Sequence, residues 1–111
     1  MEGIEETLRK RVLKILEERD EPVTVNDIMR ELGLKPSYRK LVYESISHLA
    51  KSIRRMSKGR KVLVMRSPYC LNCGYVFKNL KRVRKPSKCP RCKSERIMPP
   101  AFLIMEIKDI A

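Results

Sequence analysis

Four cysteines, the only ones in the chain, stand in two identical pairs with 15 residues between the pairs. Cys70 and Cys73 form the first pair, and Cys89 and Cys92 form the second. A Cys-x-x-Cys turn points two sulfurs at one centre, so two such turns complete the tetrahedral shell of a metal ion. Gly74 follows the first pair, at a position where a turn of positive φ favours glycine. We predict a site for one divalent cation at these four cysteines.

Zinc is the ion that the pattern favours, at one Zn²⁺ per chain. Four thiolates fill a tetrahedral shell and leave no position for water, which indicates a structural rather than a hydrolytic site. Without metal, residues 68–98 contain too few apolar side chains to fold alone. Iron (Fe) is the alternative, because four cysteines in similar knuckles bind iron in rubredoxins. The short, basic segment between the pairs disfavours iron, since rubredoxins are acidic and have a longer segment there.

Charge is distributed unevenly along the chain. Residues 1–31 carry a net charge of −3, and residues 32–111 carry a net charge of +16. Residues 51–66 contain seven basic residues and no acidic one, and residues 78–94 contain eight basic residues and no acidic one. A thermophile surface would intersperse both signs, whereas separate basic runs indicate a polyanionic partner.

The sequence also predicts where the protein works. No stretch approaches the roughly 18 apolar residues of a membrane span, and the acidic N-terminus lacks the apolar core of a secretory signal. We expect a cytoplasmic protein without membrane contact. In that reducing compartment, the cysteine pairs indicate metal rather than two disulfides, one within each pair. No phosphate-binding glycine loop or catalytic triad is evident, so we predict no enzymatic activity.

Apolar periodicity predicts three helices. The first spans residues 4–19. The second begins after Thr24, which forms a capping box with Asp27, and ends at Gly33. The third spans about residues 38–57. Its apolar stripe, at alternating steps of four and three, consists of Val42, Ile46, Leu49, Ile53 and Met56.

Two aliphatic segments predict strands, at residues 61–66 and 102–107. A lone strand at the end of the chain would leave its backbone groups unpaired, so we expect the two strands to form one antiparallel hairpin. Met56 and Met65 are expected to fill the core. Three helices and a hairpin predict an α+β winged helix-turn-helix. The predicted domains are 1–67, the zinc ribbon inserted in the wing at 68–98, and the returning wing strand at 99–111.

Two segments resemble a helix-turn-helix: residues 27–34, DIMRELGL, resemble the support helix and its turn, and residues 46–49, ISHL, resemble the recognition helix. With the knuckles CLNCGYVF and CPRCKSE, the chain resembles an archaeal family of predicted transcriptional regulators that fuse a winged helix-turn-helix to a rubredoxin-like zinc ribbon. Fourteen residues separate Gly33 from His48, more than in the usual repressor pattern. They either lengthen the recognition helix or enlarge the turn. His48 is expected to be structural.

The resemblance implies a DNA-binding transcriptional regulator that uses the third helix and the basic wing. The residues expected at the first turns of helix three are Tyr38, Arg39, Lys40, Tyr43 and Ser47. Those expected from the end of that helix into the wing are Lys51, Arg54, Arg55, Lys58, Arg60 and Lys61. Those expected between the cysteine pairs are Lys81, Arg82, Arg84 and Lys85, with Lys78 and Lys88 beside them. Most such contacts are to phosphate and carry affinity rather than sequence preference.

Several alternatives stay open. The basic surface fits duplex DNA, but it does not separate DNA from RNA. A homodimer is a further hypothesis, because helix-turn-helix proteins usually pair to bind two half-sites. A docking module of the transcription or translation machinery is the second functional hypothesis, and a rubredoxin-like iron electron carrier is the third.

Overall fold

The computed structural model describes residues 3–80 and 83–110, which form a mixed α+β fold. The helices are α1 (Ile4–Glu18), α2 (Val25–Leu32), α3 (Arg39–Met56) and the one-turn α4 (Ile107–Ile110). The strands are β1 (Val23–Thr24), β2 (Lys61–Arg66), β3 (Tyr69–Cys70), β4 (Ile97–Met98) and β5 (Ala101–Glu106). Within the part of the chain that is described, no helix combines the length and apolar character that crossing a bilayer requires.

Both ends of α2 are capped as the sequence predicts. The Thr24 hydroxyl accepts a hydrogen bond from the Asp27 N–H at 3.1 Å, and the Thr24 N–H donates to the Asp27 carboxylate at 3.0 Å. At the other end, Gly33 has a left-handed φ of 64°. The Leu34 N–H then donates to the Met29 carbonyl at 2.9 Å. These bonds satisfy backbone groups that a helix end leaves without partners.

The segment between Gly33 and His48 enlarges both the turn and the helix. A single 3-10 turn at Pro36–Tyr38 precedes α3, which begins at Arg39. Of the fourteen intervening residues, five therefore lie in the turn and nine in α3. The longer connection places about two and a half helical turns of α3 ahead of His48, and their solvent face carries the residues of the candidate site below.

The strands β1, β5 and β2 form an antiparallel sheet with β5 in the centre. The β2–β5 pairing runs from Lys61 opposite Glu106 to Arg66 opposite Ala101. This pairing is the predicted hairpin, with the second strand beginning one residue earlier than expected. Residues 67–100 therefore lie between two directly paired residues, and that segment contains all four cysteines.

One apolar cluster packs the helices against this sheet. Phe102, on the central strand, is 2% exposed. Each aliphatic or aromatic side chain buried this fully contributes about 1.5–3 kcal/mol. The buried members of the cluster are Leu8, Val12, Ile15, Leu16, Val23, Val25, Ile28, Met29, Val42, Ile46, Leu49, Ile53 and Phe102.

The prediction that Met56 and Met65 fill the core is wrong. Met56 is 63% exposed and Met65 is 36% exposed. Met56 is the last residue of α3, almost a turn beyond Ile53, the last buried residue of its stripe. Met65 lies on β2, which is an edge strand of the sheet, and its side chain stays exposed although its partner Phe102 is buried. Helical periodicity identifies the buried face of α3 but not the point where the core ends.

Candidate metal centre and basic groove

The two cysteine turns have the same backbone geometry. The Gly74 N–H donates to the Cys70 carbonyl at 2.9 Å, and the Lys93 N–H donates to the Cys89 carbonyl at 2.9 Å. Gly74 and Lys93 both have positive φ, at 80° and 65°. A lysine in this conformation is uncommon, because its Cβ disfavours positive φ. The second turn therefore keeps its shape at a local cost of conformational energy.

The four thiols lie where a tetrahedral cation site needs them. All four sulfur atoms lie within 4.8 Å of one another. The Cys70 and Cys92 sulfurs are 3.5 Å apart, and the Cys73 and Cys89 sulfurs are 3.6 Å apart. Sulfurs at about 2.3 Å from a tetrahedral zinc ion would be about 3.8 Å apart. The cysteines are free thiols rather than disulfides, so all four residues fit a metal ion.

Donors around the sulfurs favour their negative form unequally. The Asn72 side-chain amide and the Ser94 N–H lower the pKa of Cys92 to about 6. Burial raises the pKa of Cys89, but the N–H groups of Cys92 and Arg91 outweigh it and the pKa is lowered. The Tyr75 N–H lowers the pKa of Cys73, yet burial and the three neighbouring thiols raise it to about 11. A metal ion would remove this imbalance, because coordinated thiols are deprotonated.

Few apolar side chains support the metal centre. Cys70, Cys89 and Ile97 form a small buried cluster. The Tyr75 and Phe77 rings meet edge to face beside it, with their centroids 5.1 Å apart. The short sheet of β3 and β4 pairs Cys70 with Ile97 and so joins the first cysteine turn to the end of the segment.

Arg66 links this ribbon to the hairpin that carries it. Its guanidinium donates to the Pro99 carbonyl at 3.2 Å and lies over the Tyr69 ring, 5.8 Å from the centroid. These contacts join the last residue of β2 to both chain segments that enter and leave the ribbon. The cation–π contact contributes about 0.5–1 kcal/mol at an exposed site.

An open groove of about 980 Å³ separates the first half of α3 from the segment between the cysteine turns. The wall on the α3 side consists of Pro36, Ser37, Arg39, Lys40, Tyr43, Glu44 and Ser47. The opposite wall consists of Val83, Arg84, Lys85, Pro86, Ser87 and Glu95. Val83 also packs against the main apolar cluster, which holds the ribbon segment close to the helices.

The structure brings some of the predicted nucleic-acid residues together at this groove. Arg39, Lys40, Tyr43 and Ser47 line one wall, and Arg84 and Lys85 line the other. Arg39 also donates a hydrogen bond to the Asn26 side chain. Burial raises the pKa of Tyr43, although the positive charge of Arg39 partly opposes that rise. Tyr38 lies half-buried in the turn before α3 and does not line the groove.

The other predicted residues that the structure describes lie outside the groove. Lys51 and Arg54 follow Ser47 at steps of four and three, so they continue the same face of α3. Arg55, Lys58, Arg60 and Lys61 are exposed around the end of α3 and the start of β2. At 1.5 Å per helical residue, Arg55 lies about 24 Å from Arg39 along α3. Lys78 and Lys88 are exposed in the ribbon. Lys81 and Arg82 lie outside the described residues.

Three features of this region have only weak sequence signals. Asn72 is the second residue inside a cysteine pair, and its amide donates to the Cys92 sulfur at 3.4 Å. Val83 and Pro86 are apolar residues within a basic run. Their presence there is the sequence signal that this segment packs against another part of the protein. Glu95 places a carboxylate on the ribbon wall of the groove.

Helices packed on a three-stranded sheet, with a four-cysteine ribbon inserted in its hairpin, define a small metal-binding α+β protein. Residues 7–63 match the family model described as PF0610-like, N-terminal. Residues 68–108 match the PF0610 rubredoxin-like zinc beta-ribbon domain. The chain belongs to the PF0610-like family, with an N-terminal domain and a zinc ribbon in one polypeptide.

The chain is similar to a solved protein over almost its whole length. That protein is PF0610 from Pyrococcus furiosus, whose solution NMR structure superposes with a TM-score of 0.66 at 27% sequence identity. The match covers 95% of this chain and 93% of PF0610. No curated protein matches the chain. The family therefore supports the fold and the four-cysteine site.

Proposed function

We propose that the chain is a DNA-binding transcriptional regulator, built as a winged helix-turn-helix whose wing carries a structural zinc site. The order α1, β1, α2, α3, β2 and β5 supports the winged-helix interpretation, since a helix pair precedes a hairpin that would serve as the wing. The connection between α2 and α3 is the turn, and α3 is the recognition helix.

The observation that carries the proposal is a basic stripe along α3. Lys40, Tyr43, Ser47, Lys51 and Arg54 follow one another at steps of three and four, so they share one face of the helix. Among the described residues, the ion pairs join Arg19 to Glu31, Arg30 to Asp27, and Lys108 to Glu106. The lysine and arginine side chains of the stripe are therefore free to contact phosphate.

The ribbon extends this positive surface. Arg84 and Lys85 stand across the groove from α3, so cations on two different chain segments face the same partner. Phosphate contacts of this kind supply affinity and a steep dependence on salt. The metal ion would keep the ribbon folded and so hold these two residues in place.

The nucleic-acid experiment measures duplex binding as a function of salt. We expect log affinity to fall linearly with log salt concentration, with a slope of about −0.9 for each phosphate neutralised. Replacing both Lys51 and Arg54 by alanine should reduce the magnitude of the slope by about 2. The matched control replaces Arg11 and Lys14, two exposed basic residues also three apart but on α1, and should leave the slope unchanged.

Competition between duplex DNA and structured RNA identifies the nucleic acid. If structured RNA displaces the bound duplex DNA at an equal or lower concentration, the DNA part of the proposal is wrong. If no duplex binds at low salt, the docking hypothesis becomes the better one. Leu71 and Val76 in the ribbon favour that second hypothesis, because they are 47% and 40% exposed and apolar.

The metal experiment separates zinc from iron. Colourless protein with one zinc ion per chain would support the structural site. Visible absorbance and bound iron would instead support an electron carrier. A closed shell of four thiolates leaves no position for a substrate, so the proposal assigns no catalytic step to the metal.

A further inference from the structure

The groove between α3 and the ribbon has the size of a small-molecule site. Its volume of about 980 Å³ lies at the upper end of the range for ligand pockets, about 300–1,000 Å³. Val83 packs against the main cluster, so the ribbon wall is anchored rather than free to swing away. A duplex can contact the rim of such a groove, but its body is too wide to enter.

The cations on the rim select an anion. Arg39 and Lys40 stand on the α3 wall, and Arg84 and Lys85 stand on the ribbon wall. Among the described residues, none of the four forms an ion pair with a carboxylate. A phosphate group would receive charge-assisted hydrogen bonds from both walls at once.

The other lining residues indicate which chemical groups the anion must contain besides its negative charge. Tyr43 and Val83 are half-buried and present ring and aliphatic surface to the groove, together with the prolines at 36 and 86. A planar ring would pack against this surface. Glu44 and Glu95 also line the groove, and carboxylates accept hydrogen bonds from amino and hydroxyl groups. A simple aromatic acid offers them nothing, whereas a nucleotide offers a base and a ribose.

We propose that the groove between α3 and the ribbon binds a nucleoside phosphate. The phosphate contacts the cations on both walls, the base packs on Tyr43 and Val83, and the carboxylates accept from the base or the ribose. Lys40 and Arg84 belong both to this site and to the surface proposed for DNA. A bound nucleotide therefore competes with duplex, and this last consequence alone rests on the proposed function.

Direct titration tests the site without any duplex. The four ribonucleoside monophosphates, their nucleosides and inorganic phosphate are added to metal-loaded protein and followed by amide NMR. We expect at least one monophosphate to bind about tenfold more tightly than its nucleoside and than phosphate, since each holds only half of the contacts. The shifted amides should belong to residues 36–47 and 83–87.

Two pairs of variants locate the ligand. Ser47→Phe fills the groove and should weaken nucleotide binding about tenfold, while His48→Phe, at an exposed residue outside the groove, should change it less than about twofold. Lys85→Glu should weaken binding about fivefold by reversing a charge beside the phosphate. Lys78→Glu reverses an exposed charge of the same ribbon outside the groove and should have little effect.

Three results would overturn the proposal. The first is that none of the four monophosphates binds more tightly than inorganic phosphate. The second is equal weakening by Lys78→Glu and Lys85→Glu, which would indicate diffuse attraction to a basic surface. The third is binding of a single-stranded octanucleotide at the groove without binding of any monophosphate, which would assign the groove to a nucleic-acid strand.

Discussion

Different interactions stabilise the two regions of the molecule. One is the helical region, which consists of the helices and the three-stranded sheet, and the other is the ribbon. Among the described residues, thirteen buried apolar side chains join the helices to the three-stranded sheet, whereas three buried residues, two of them cysteines, form the cluster of the ribbon. Burial of apolar area stabilises the first region. The second has little such area, so we expect it to depend on bonds from sulfur to a cation. The comparison predicts that a change of metal and a change of core should act on different parts of the molecule.

The largest effect is expected from Cys89→Ser, which removes one of four ligands. Structural zinc sites contribute about 10–16 kcal/mol of apparent binding free energy, so the variant should lose both metal and ribbon structure. We expect the amide NMR signals of residues 68–98 to collapse, while helical circular dichroism stays close to that of the parent. Ser87→Ala, at an exposed residue of the same ribbon, is the control. A folded ribbon in metal-free Cys89→Ser would show that the ribbon does not depend on a metal ion for its structure.

The core counterpart is Phe102→Ala. Phe102 is on β5, which pairs with both β1 and β2, so its loss should destabilise the whole helical region. We expect the free energy of unfolding in urea to fall by about 3–5 kcal/mol. Leu103→Ala alters the next residue of the strand, which is only half-buried, and should cost less. Equal costs would mean that burial on β5 is not what stabilises this region.

Metal affinity should depend on pH through the thiols. The pKa of Cys73 is raised to about 11, so this thiol is protonated near neutral pH and must lose its proton when metal binds. The apparent affinity should therefore rise about tenfold or more per pH unit between about pH 7 and 9. The pKa of Cys92 is lowered to about 6, and this thiol adds to the dependence only in more acidic solution.

Chelator competition at several pH values measures this dependence. Asn72→Ala removes the amide that donates to the Cys92 sulfur, so the pKa of Cys92 should rise and the dependence should steepen near pH 7. An affinity that is constant from pH 7 to 9 would contradict the prediction. Helical circular dichroism should not change over this range.

The smallest effect is expected at the cap of α2. Thr24→Ala removes the hydroxyl that accepts from the Asp27 N–H and should lower the free energy of unfolding by about 0.5–2 kcal/mol. Ser37→Ala, at an exposed hydroxyl that no described capping bond uses, is the control. Metal affinity should be the same in both variants, because the cap belongs to the helical region alone. A loss of metal in Thr24→Ala would show that the two regions unfold together.

Local chemistry explains which parts of the fold could be predicted from the sequence. The capping box at Thr24, the left-handed Gly33 and the β2–β5 hairpin each follow from residues close in sequence or from the need of a strand for a partner. The four-cysteine cluster follows from spacing alone. The extent of the core does not follow from the sequence. Met56 continues the apolar stripe of α3, but it is exposed, whereas the earlier residues of the stripe are buried.

The groove could not have been predicted from the sequence. Its two walls, at residues 36–47 and 83–87, are about 40 residues apart in the chain, and no local pattern sets the distance between them. The contact of Val83 with the main cluster closes that distance. The sequence shows the basic residues of each wall, but the position of Arg39 and Lys40 opposite Arg84 and Lys85 depends on how the ribbon folds back on α3.

The ribbon is inserted between two residues that pair directly in the sheet, Arg66 and Ala101. The chain leaves β2 for the ribbon and returns to β5 at directly paired residues, so the register of the sheet is independent of how many residues the ribbon contains. A change in the length of the ribbon or in its cation can therefore leave the pairing of β2 with β5 intact. The same pair of strands could carry inserted segments of different length or with a different metal site.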